Sequence, residues 1–528
     1  MPTDERRNAI LTATAAFAAL ALAWLVLLII AGVLGKIELN ALADPVGWLR
    51  NLAPEAAFDM LSTAAELLAG VLGIAITVVA IVVELAATRY SHRITKLFIT
   101  EPINIAAMTL FVLTTANCVW VAITLEQSGS AAILPNAGFA IAMFLVTLSL
   151  LVLLPYFYFV FSFISPLSII QKLRVTAYRF FRNADERSAE RMQAKALEAV
   201  DELQDIARSA TDQGDARIAM AAIDALAELV LAYLPIRSEL THRWFNIGDT
   251  IARDPDFVSL APTALDEIRD AGLWFEVKVI RQYLALMNQA VPQSRDVANL
   301  IAINTERIGV AAGNLNPSLL TLAIRCFNSY MRMTIRAEDP RTAYYVMNQY
   351  RLLAEALLNQ RAFQAVTEIA EHFRYYATFA HTLGESFLLE VAAHDIVTLI
   401  KEAVRRESPI VDELLELFLD LDQEIRDESQ EASLLSVRRA QMQLATFFLE
   451  LNDESRARRI VEDLKDEKIE RLEGIRHTLM QEERSQYWEF TDRGVNFSYL
   501  EPSLRPYLDT LFEWLSDPTI TARSLSIN

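Results

Sequence analysis

The stretch Leu61–Phe98, LSTAAELLAGVLGIAITVVAIVVELAATRYSHRITKLF, decides the fold of this chain. No charged residue lies between Glu66 and Glu84, and that gap is about the minimum for a helix that crosses hydrocarbon. The basic run from Arg89 to Lys96 follows, which is typical of a helix end that faces the cytoplasm. The stretch therefore predicts a membrane-spanning helix.

One face of this helix is small and polar, with a carboxylate near each end. Its members at helical spacing are Ser62, Glu66, Ala69, Gly73, Thr77, Ala80 and Glu84. In an oligomer such a face would line a path for cations, because two rings of glutamates attract them. The alternative, which the sequence favours, is that Ala69 and Gly73 pack closely against a neighbouring helix. Glu84 would then pair with Arg89 or Lys96.

The same stretch resembles a known family of bacterial membrane proteins. The shared motifs are Leu61-Ser62-Thr63, Leu85-Ala86-Ala87, Tyr90-Ser91-His92-Arg93 and Phe98, followed by the apolar run INIAAMTLFVLTTANCVWV. Over about residues 60–125 the chain is similar to the family DUF2254, although Glu84 stands where a neutral polar residue is expected. The resemblance implies a membrane location and no particular activity.

Composition divides the chain into two unlike parts. Residues 1–171 are nearly free of charge and predict a transmembrane domain, 172–195 form a basic collar, and 196–528 are charged throughout. A net charge of −19 argues against nucleic acid as a partner. With only 15 glycines and two cysteines in 528 residues, Gly-rich nucleotide loops and a disulfide framework are not indicated.

Four apolar runs predict four spans, at about 9–35, 61–85, 102–125 and 134–164. The first run is longer than the core of a signal peptide, so a retained span is favoured over a cleaved leader. Asn117 lies deep in the third span, and we expect it to form a hydrogen bond to another helix.

Lysines and arginines near the ends of the spans predict the orientation. Nine lie on one side and two on the other. The nine are Arg6, Arg7, Arg89, Arg93, Lys96, Lys172, Arg174, Arg179 and Arg182; the two are Lys36 and Arg50. The bias predicts a multi-pass protein with both termini and the C-terminal domain in the cytoplasm, and the resemblance to a bacterial family implies that the membrane is the bacterial inner membrane.

Beyond the collar, apolar residues recur at helical spacing almost to the end of the chain. The predicted helices lie near 190–210, 215–234, 263–290, 294–312, 318–336, 341–358, 362–382, 386–405, 410–427, 431–452, 454–466 and 503–516. The clearest breaks are Gly214-Asp215, Asn316-Pro317, Asp339-Pro340 and Asn452-Asp453. Short breaks between helices predict an all-α fold in which the spans precede an irregular α-solenoid of helical hairpins.

Two polar helix faces form a candidate groove for a protein partner. They comprise Arg325, Asn328 and Arg332 on one helix, and Arg341, Tyr344, Asn348 and Arg351 on the next. Asparagine can clamp backbone amides and arginine can pair with carboxylates. A polar seam that joins adjacent hairpins is an equally weighted alternative.

No catalytic motif is present, so the sequence predicts neither an enzyme nor a cofactor. His381 with Glu385, and Glu390 with His394, have a spacing that suits metal ligands, but hydrogen bonding is the favoured role and no metal is predicted. The predicted function is a scaffold anchored in the lipid bilayer that binds a protein partner or forms a homo-oligomer. An oligomeric cation channel or transporter lined by the second span is the alternative.

Overall fold

A computed structural model describes residues 53–89, 95, 98–99, 101–128, 136–163, 165–421, 431–465, 467–487 and 493–516. Its helices are α1 (Pro54–Arg89), α2 (Pro102–Ser128), α3 (Asn136–Phe163), α4 (Pro166–Arg182), α5 (Ala189–Asp212), α6 (Ala216–Tyr233), α7 (His242–Phe245), α8 (Asp249–Ala252), α9 (Pro255–Val258), α10 (Pro262–Ala271), α11 (Trp274–Gln293), α12 (Arg295–Ala312), α13 (Pro317–Arg336), α14 (Pro340–Asn359), α15 (Phe363–Thr382), α16 (Phe387–Arg405), α17 (Val411–Leu419), α18 (Glu431–Glu450), α19 (Glu454–Leu464), α20 (Ile469–Gln481) and α21 (Tyr507–Ser516). A 3-10 helix, Leu234–Glu239, follows α6. None of the described residues lies in a strand, which confirms the all-α class.

The chain forms two compact units. The membrane unit comprises Met1–Thr176 and Asp201–Ser209, and the helical unit comprises Ala177–Val200 and Ala210–Asn528. The predicted first span, 9–35, and Arg93 and Lys96 lie outside the described residues.

In the membrane unit, α1, α2 and α3 pack on one another. Leu61 and Leu68 of α1 contact a core that includes Phe111 and Phe139. Polar groups between the helices are paired: the Tyr156 hydroxyl donates to Asn104 Oδ1 at 2.8 Å, and the hydroxyls of Thr114 and Ser149 lie 3.1 Å apart. Such pairs satisfy groups that hydrocarbon cannot solvate.

Four described helices are long and apolar enough to cross a membrane by length and composition: Glu55–Thr88, Pro102–Thr124, Gly138–Phe161 and Ala216–Glu239. The first three lie where the sequence predicts spans two to four. The last is 50% buried within the protein, against 22–33% for the others, and belongs to the helical unit. Its Asp224 accepts a hydrogen bond from Asn304 Nδ2 at 2.9 Å, and the Ile223 carbonyl accepts one from the Tyr283 hydroxyl. The apolar composition of α6 therefore reflects burial against other helices of its unit.

The helices of the helical unit pack on their neighbours in the chain and on the helix two places further on. Adjacent pairs are in contact from α11 to α16, and one row of contacts joins α12, α14, α16 and α18. A second row joins α13, α15 and α17. A helix in either row thus packs on members of its own row and on its chain neighbours in the other row, as stacked helical hairpins do.

Helix caps explain the four breaks that the sequence predicts. Asp215, Asn316, Asp339 and Asp453 are N-caps whose side chains accept a hydrogen bond from a backbone N–H in the first turn. Proline follows Asn316 and Asp339 at the first helical position, where a missing N–H costs nothing. Side-chain chemistry at these turns ends one helix and starts the next.

Buried aromatic side chains surround the end of α4. The ring of Phe181 lies 4.8 Å from that of Phe275, 5.2 Å from Tyr233 and 5.8 Å from Trp244. The indole of Trp244 donates to the Tyr233 hydroxyl at 3.0 Å. Burying a large aromatic side chain contributes about 3–5 kcal/mol when judged by its truncation. The end of α4 is therefore part of the core of the helical unit.

One predicted helix was wrong, and two helical regions were not predicted. The segment 263–290 is two helices, because Gly272 adopts φ +65° between α10 and α11. Between α6 and α10 the chain forms three helices of four residues, which are too short to show a period. The helix α20 was not predicted, since only Leu472, Ile475 and Leu479 of its residues are buried.

Glu276 of α11 is a carboxylate in the core of the helical unit. It is fully buried, and its Oε1 lies 3.3 Å from Nε of Arg237. Burial raises the pKa of Glu276 to about 7, although the Arg237 guanidinium acts in the opposite direction. The folded protein therefore holds this proton more tightly than the unfolded chain does.

A glutamine at position 276 tests this assignment. The pKa of Glu276 is higher in the folded protein than in the unfolded chain. The carboxyl of Glu276 therefore stabilises the fold most below about pH 4.5, and this contribution is lost as the pH rises to about 7. We expect the melting temperature of Glu276→Gln relative to the native protein to rise between pH 5 and pH 8. Exposed Glu267 provides the control, and Glu267→Gln should show no such trend. A difference that is constant with pH would contradict the assignment.

Candidate functional site

The first predicted face lies on α13. Arg325 and Arg332 are exposed and Asn328 is half-buried, while Phe327 and Met331 on the other side of the helix are buried. Arg336, one turn beyond Arg332, is also exposed. Together with Asn328, the residues Arg325, Arg332 and Arg336 form the α13 arginine face.

Asn328 connects three helices. Its Nδ2 lies 3.2 Å from both ring nitrogens of His372, and the Tyr350 hydroxyl lies 3.0 Å from Nδ1 of the same ring. The Tyr376 hydroxyl donates to the Asn328 carbonyl at 2.7 Å. Burial lowers the pKa of His372, which favours the neutral ring, and the one unprotonated nitrogen of that ring can accept a hydrogen bond from the Asn328 amide or the Tyr350 hydroxyl. Asn328 therefore contributes to the seam between hairpins as well as to the surface.

A surface depression of about 400 Å³ lies beside Asn328. It is lined by Asn328, Ser329, Arg332, Met333, Arg336 and Tyr376. Arg332 hydrogen-bonds the phenol of Tyr376, which opposes the rise in the Tyr376 pKa that burial causes. Two guanidinium groups at the rim of an open depression form an anion-binding surface.

The second predicted face lies on α14 and is less exposed. Arg341 is exposed, Tyr344 is 9% exposed, and Asn348 and Arg351 are half-buried. Arg351 Nη2 donates to Asn348 Oδ1 at 2.9 Å, and Arg351 also pairs with Glu355. The structure therefore does not join the two faces into one groove of uniform exposure.

Asp395 of α16 is the centre of a buried ionic cluster that includes this second face. Its Oδ1 lies 3.3 Å from Arg351 Nε and accepts a hydrogen bond from Arg493 Nη1 at 2.6 Å. The side chains of Asp395 and Arg493 are 3% and 5% exposed. Burial raises the pKa of Asp395, and the two guanidinium groups oppose that rise.

Arg493 belongs to a non-helical segment, residues 493–500, that lies on α14, α16 and α18. Its Nη2 donates to the Tyr344 carbonyl at 2.8 Å, and its guanidinium lies 4.1 Å from the centre of the Tyr344 ring. Gln443 Nε2 of α18 donates to the carbonyls of Phe497 at 3.0 Å and Tyr499 at 2.9 Å. Sequence analysis missed these contacts, because no local pattern relates Arg493 to Asp395, 98 residues earlier.

The histidines at possible metal spacing have other neighbours. His381 Nδ1 lies 3.2 Å from Ser386 Oγ, and the His394 ring stacks on Phe497 with centroids 4.3 Å apart. Glu390 pairs with Arg439. Within the part of the chain that the structure describes, no group of three or more His, Cys, Asp or Glu residues could hold a metal ion.

The small polar face of α1 is mostly exposed. Ser62 is half-buried, and Glu66, Ala69, Gly73, Thr77, Ala80 and Glu84 are exposed, whereas the stripe from Leu61 to Val83 beside it is buried. A Cβ added at Gly73 would meet nothing within 4 Å. The packing that the sequence favours for Ala69 and Gly73 therefore requires a helix other than α2 or α3.

Two further sequence predictions for the membrane unit involve single polar side chains. The side chain of Arg89 and the whole of Lys96 lie outside what the structure describes, so the pairing of Glu84 stays a prediction. The amide nitrogen of Asn117 is buried and has no hydrogen-bond partner among the described residues.

Comparison with known proteins agrees with the resemblance seen in the sequence. The family model described as "Predicted membrane protein (DUF2254)" matches residues 6–232, which confirms the similarity around 60–125 and extends it on both sides. Together with the apolar helices α1, α2 and α3, this match identifies the chain as a membrane protein.

Other comparisons add little. No curated protein matches the chain. Among solved structures, a protein titled "Circular tandem repeat protein with novel repeat topology and enhanced subunit contact surfaces" is 15% identical, with 80% of this chain and 97% of that chain covered. Its TM-score is 0.34, and so weak a similarity bears on neither fold nor function.

Proposed function

We propose that this membrane protein anchors a helical scaffold at the cytoplasmic face of a bacterial inner membrane, and that the scaffold binds a protein partner. The observation that carries the proposal is the α13 arginine face. Its three arginines are exposed on one helix, and none forms an ion pair with a carboxylate among the described residues.

Charge supports a partner that supplies carboxylates. The chain has 67 acidic residues against 48 basic ones, and many arginines elsewhere in the helical unit pair with one or more of its acids. Exposed arginines that lack such partners can pair with the carboxylates of another protein without losing an internal ion pair. The depression beside Arg332 and Arg336 provides space for the side chains of such a segment.

Photo-crosslinking from position 329 tests the α13 arginine face. We expect a photoreactive residue in place of Ser329 to yield a protein adduct in cells, and Arg325→Glu with Arg332→Glu to reduce that adduct at least about tenfold. The reason is that each lost charge-assisted hydrogen bond costs roughly 1.5–3 kcal/mol. Arg405→Ala, at an exposed arginine of α16, is the control and should leave the adduct unchanged.

Stability distinguishes this surface from a structural seam. The exposed arginine substitutions should change the free energy of unfolding by no more than about 0.5 kcal/mol. Asn348→Ala removes an acceptor of Arg351 and should instead cost about 1 kcal/mol without reducing the adduct. An adduct that survives the double substitution would contradict the proposal.

The orientation of the scaffold is a separate part of the proposal. Its support is the excess of nine lysines and arginines over two at the ends of the spans. A reporter pair fused after Ser524 should be active only as its cytoplasmic form. Activity of the periplasmic form at that position would reverse the orientation.

An oligomeric cation channel is the second candidate, and one observation favours it. The small polar face of α1, which includes Gly73 and Thr77, is turned away from α2 and α3 and is available to other copies.

Flux measurements in liposomes separate the two candidates. The scaffold proposal expects no cation flux above that of empty liposomes. A channel would give flux that Gly73→Leu blocks, because a bulky side chain would fill the path, and that Glu84→Gln reduces. Ile74→Leu is the control at an adjacent exposed position and should leave any flux intact.

A further inference from the structure

The surface of α14, α16 and α18 that holds residues 493–500 has the features of a peptide-binding groove. It is called the Asp395 groove here and consists of Tyr344, His394, Asp395, Arg439 and Gln443. These helices form one row of the array, so the groove crosses successive hairpins. We propose that the Asp395 groove binds a non-helical segment of a partner protein that carries an arginine and, four residues later, an aromatic residue, and that residues 493–500 occupy it in the free protein.

The contacts to residues 493–500 are those by which a protein reads a peptide. Gln443 donates to two backbone carbonyls, at Phe497 and Tyr499, and so holds the main chain regardless of its side chains. Arg439 Nη1 donates to Ser498 Oγ at 3.1 Å. The main chain of the segment is also held from outside the groove, since the Asn496 N–H donates to the Ser485 carbonyl at 3.1 Å.

Two pockets give the groove its side-chain preference. In the first, Asp395 and the Tyr344 carbonyl bind the guanidinium of Arg493, and the Tyr344 ring covers it. In the second, the neutral ring of His394 stacks on Phe497 with an interplanar angle of 8°. Lysine would not satisfy the first pocket, since it cannot bond both acceptors in one plane.

Asp395 has a second cationic partner besides Arg493. When Arg493 is absent, Asp395 keeps Arg351 at 3.3 Å and is not left as an unpaired buried charge. Val495 is 48% exposed and contributes little burial, whereas Asn496, Phe497 and Leu500 are buried. A partner must compete with an occupant on the same chain, whose effective concentration is of millimolar order. The groove is therefore closed to weak ligands.

Binding of a labelled synthetic peptide, residues 491–502, to the full-length protein in detergent tests the proposal by fluorescence anisotropy. Arg493→Ala and Phe497→Ala each weaken the occupant in a different pocket and leave the groove residues intact. We expect both variants to bind the peptide at least about tenfold more tightly than the native protein. Val495→Ala, at an exposed position of the segment, should bind it as the native protein does.

Further variants establish the location of the bound peptide. Adding Asp395→Asn to Arg493→Ala should abolish binding, and a peptide in which Arg493 is replaced by alanine should not bind any variant. If either single variant folds and yet binds the peptide no better than the native protein, the proposal is wrong. If neither folds, residues 493–500 are a structural part of the domain, and the proposal is likewise overturned.

This inference is independent of the α13 arginine face, because it concerns other residues on the other row of helices. Loss of the Ser329 adduct on substitution of Arg325 and Arg332 would leave the peptide experiment unaffected. Conversely, a peptide that fails to bind would not change the adduct at position 329. A negative result in one experiment therefore leaves the proposal tested by the other unchanged.

Discussion

The C-terminal third of the helical unit depends on one buried carboxylate. Asp395 lies between the guanidinium groups of Arg351 and Arg493, which come from α14 and from the segment 493–500. A carboxylate buried without a partner would cost several kcal/mol, so at least one of these two guanidinium groups must stay beside it. Two arginines provide redundancy, because Asp395 keeps one cationic partner when either Arg351 or Arg493 is removed. A cluster with this redundancy can release one component without unfolding the rest.

In the membrane unit the corresponding constraint is the lack of water. Hydrocarbon does not drive helices together, so close packing and internal hydrogen bonds such as that between Tyr156 and Asn104 must do so. The stripe of α1 that packs on α2 and α3 consists of larger apolar residues such as Leu61 and Leu68. Its neighbour on the same helix, which includes Gly73, has the small residues that permit the closest approach, and the structure leaves it exposed.

Local chemistry explains why the sequence predicted so much of the helical unit. Asn316 and Asp339 each precede a proline and cap the helix that begins there. Apolar residues at helical spacing identify the helix faces that become buried. The sequence could not predict which of two suitable faces of α1 contacts α2, because both have the right period. Nor could it predict that Arg493 reaches Asp395, since that pair depends on where the whole array brings the chain. The three helices of four residues were not predicted, because each is shorter than the repeat of apolar residues that indicates a helix.

Burial decides what arginine does in this protein. Arg332 and Arg493 differ neither in charge nor in reach, yet one is exposed and lacks a carboxylate among the described residues, while the other is 5% exposed and bonded to Asp395. A guanidinium in water can pair with many anions weakly, whereas one in a pocket is held by a single geometry. The α13 arginine face therefore leaves its guanidinium groups in solvent, whereas the Asp395 groove fixes the guanidinium of Arg493. The two surroundings coexist because α13 and α16 belong to different rows of helices.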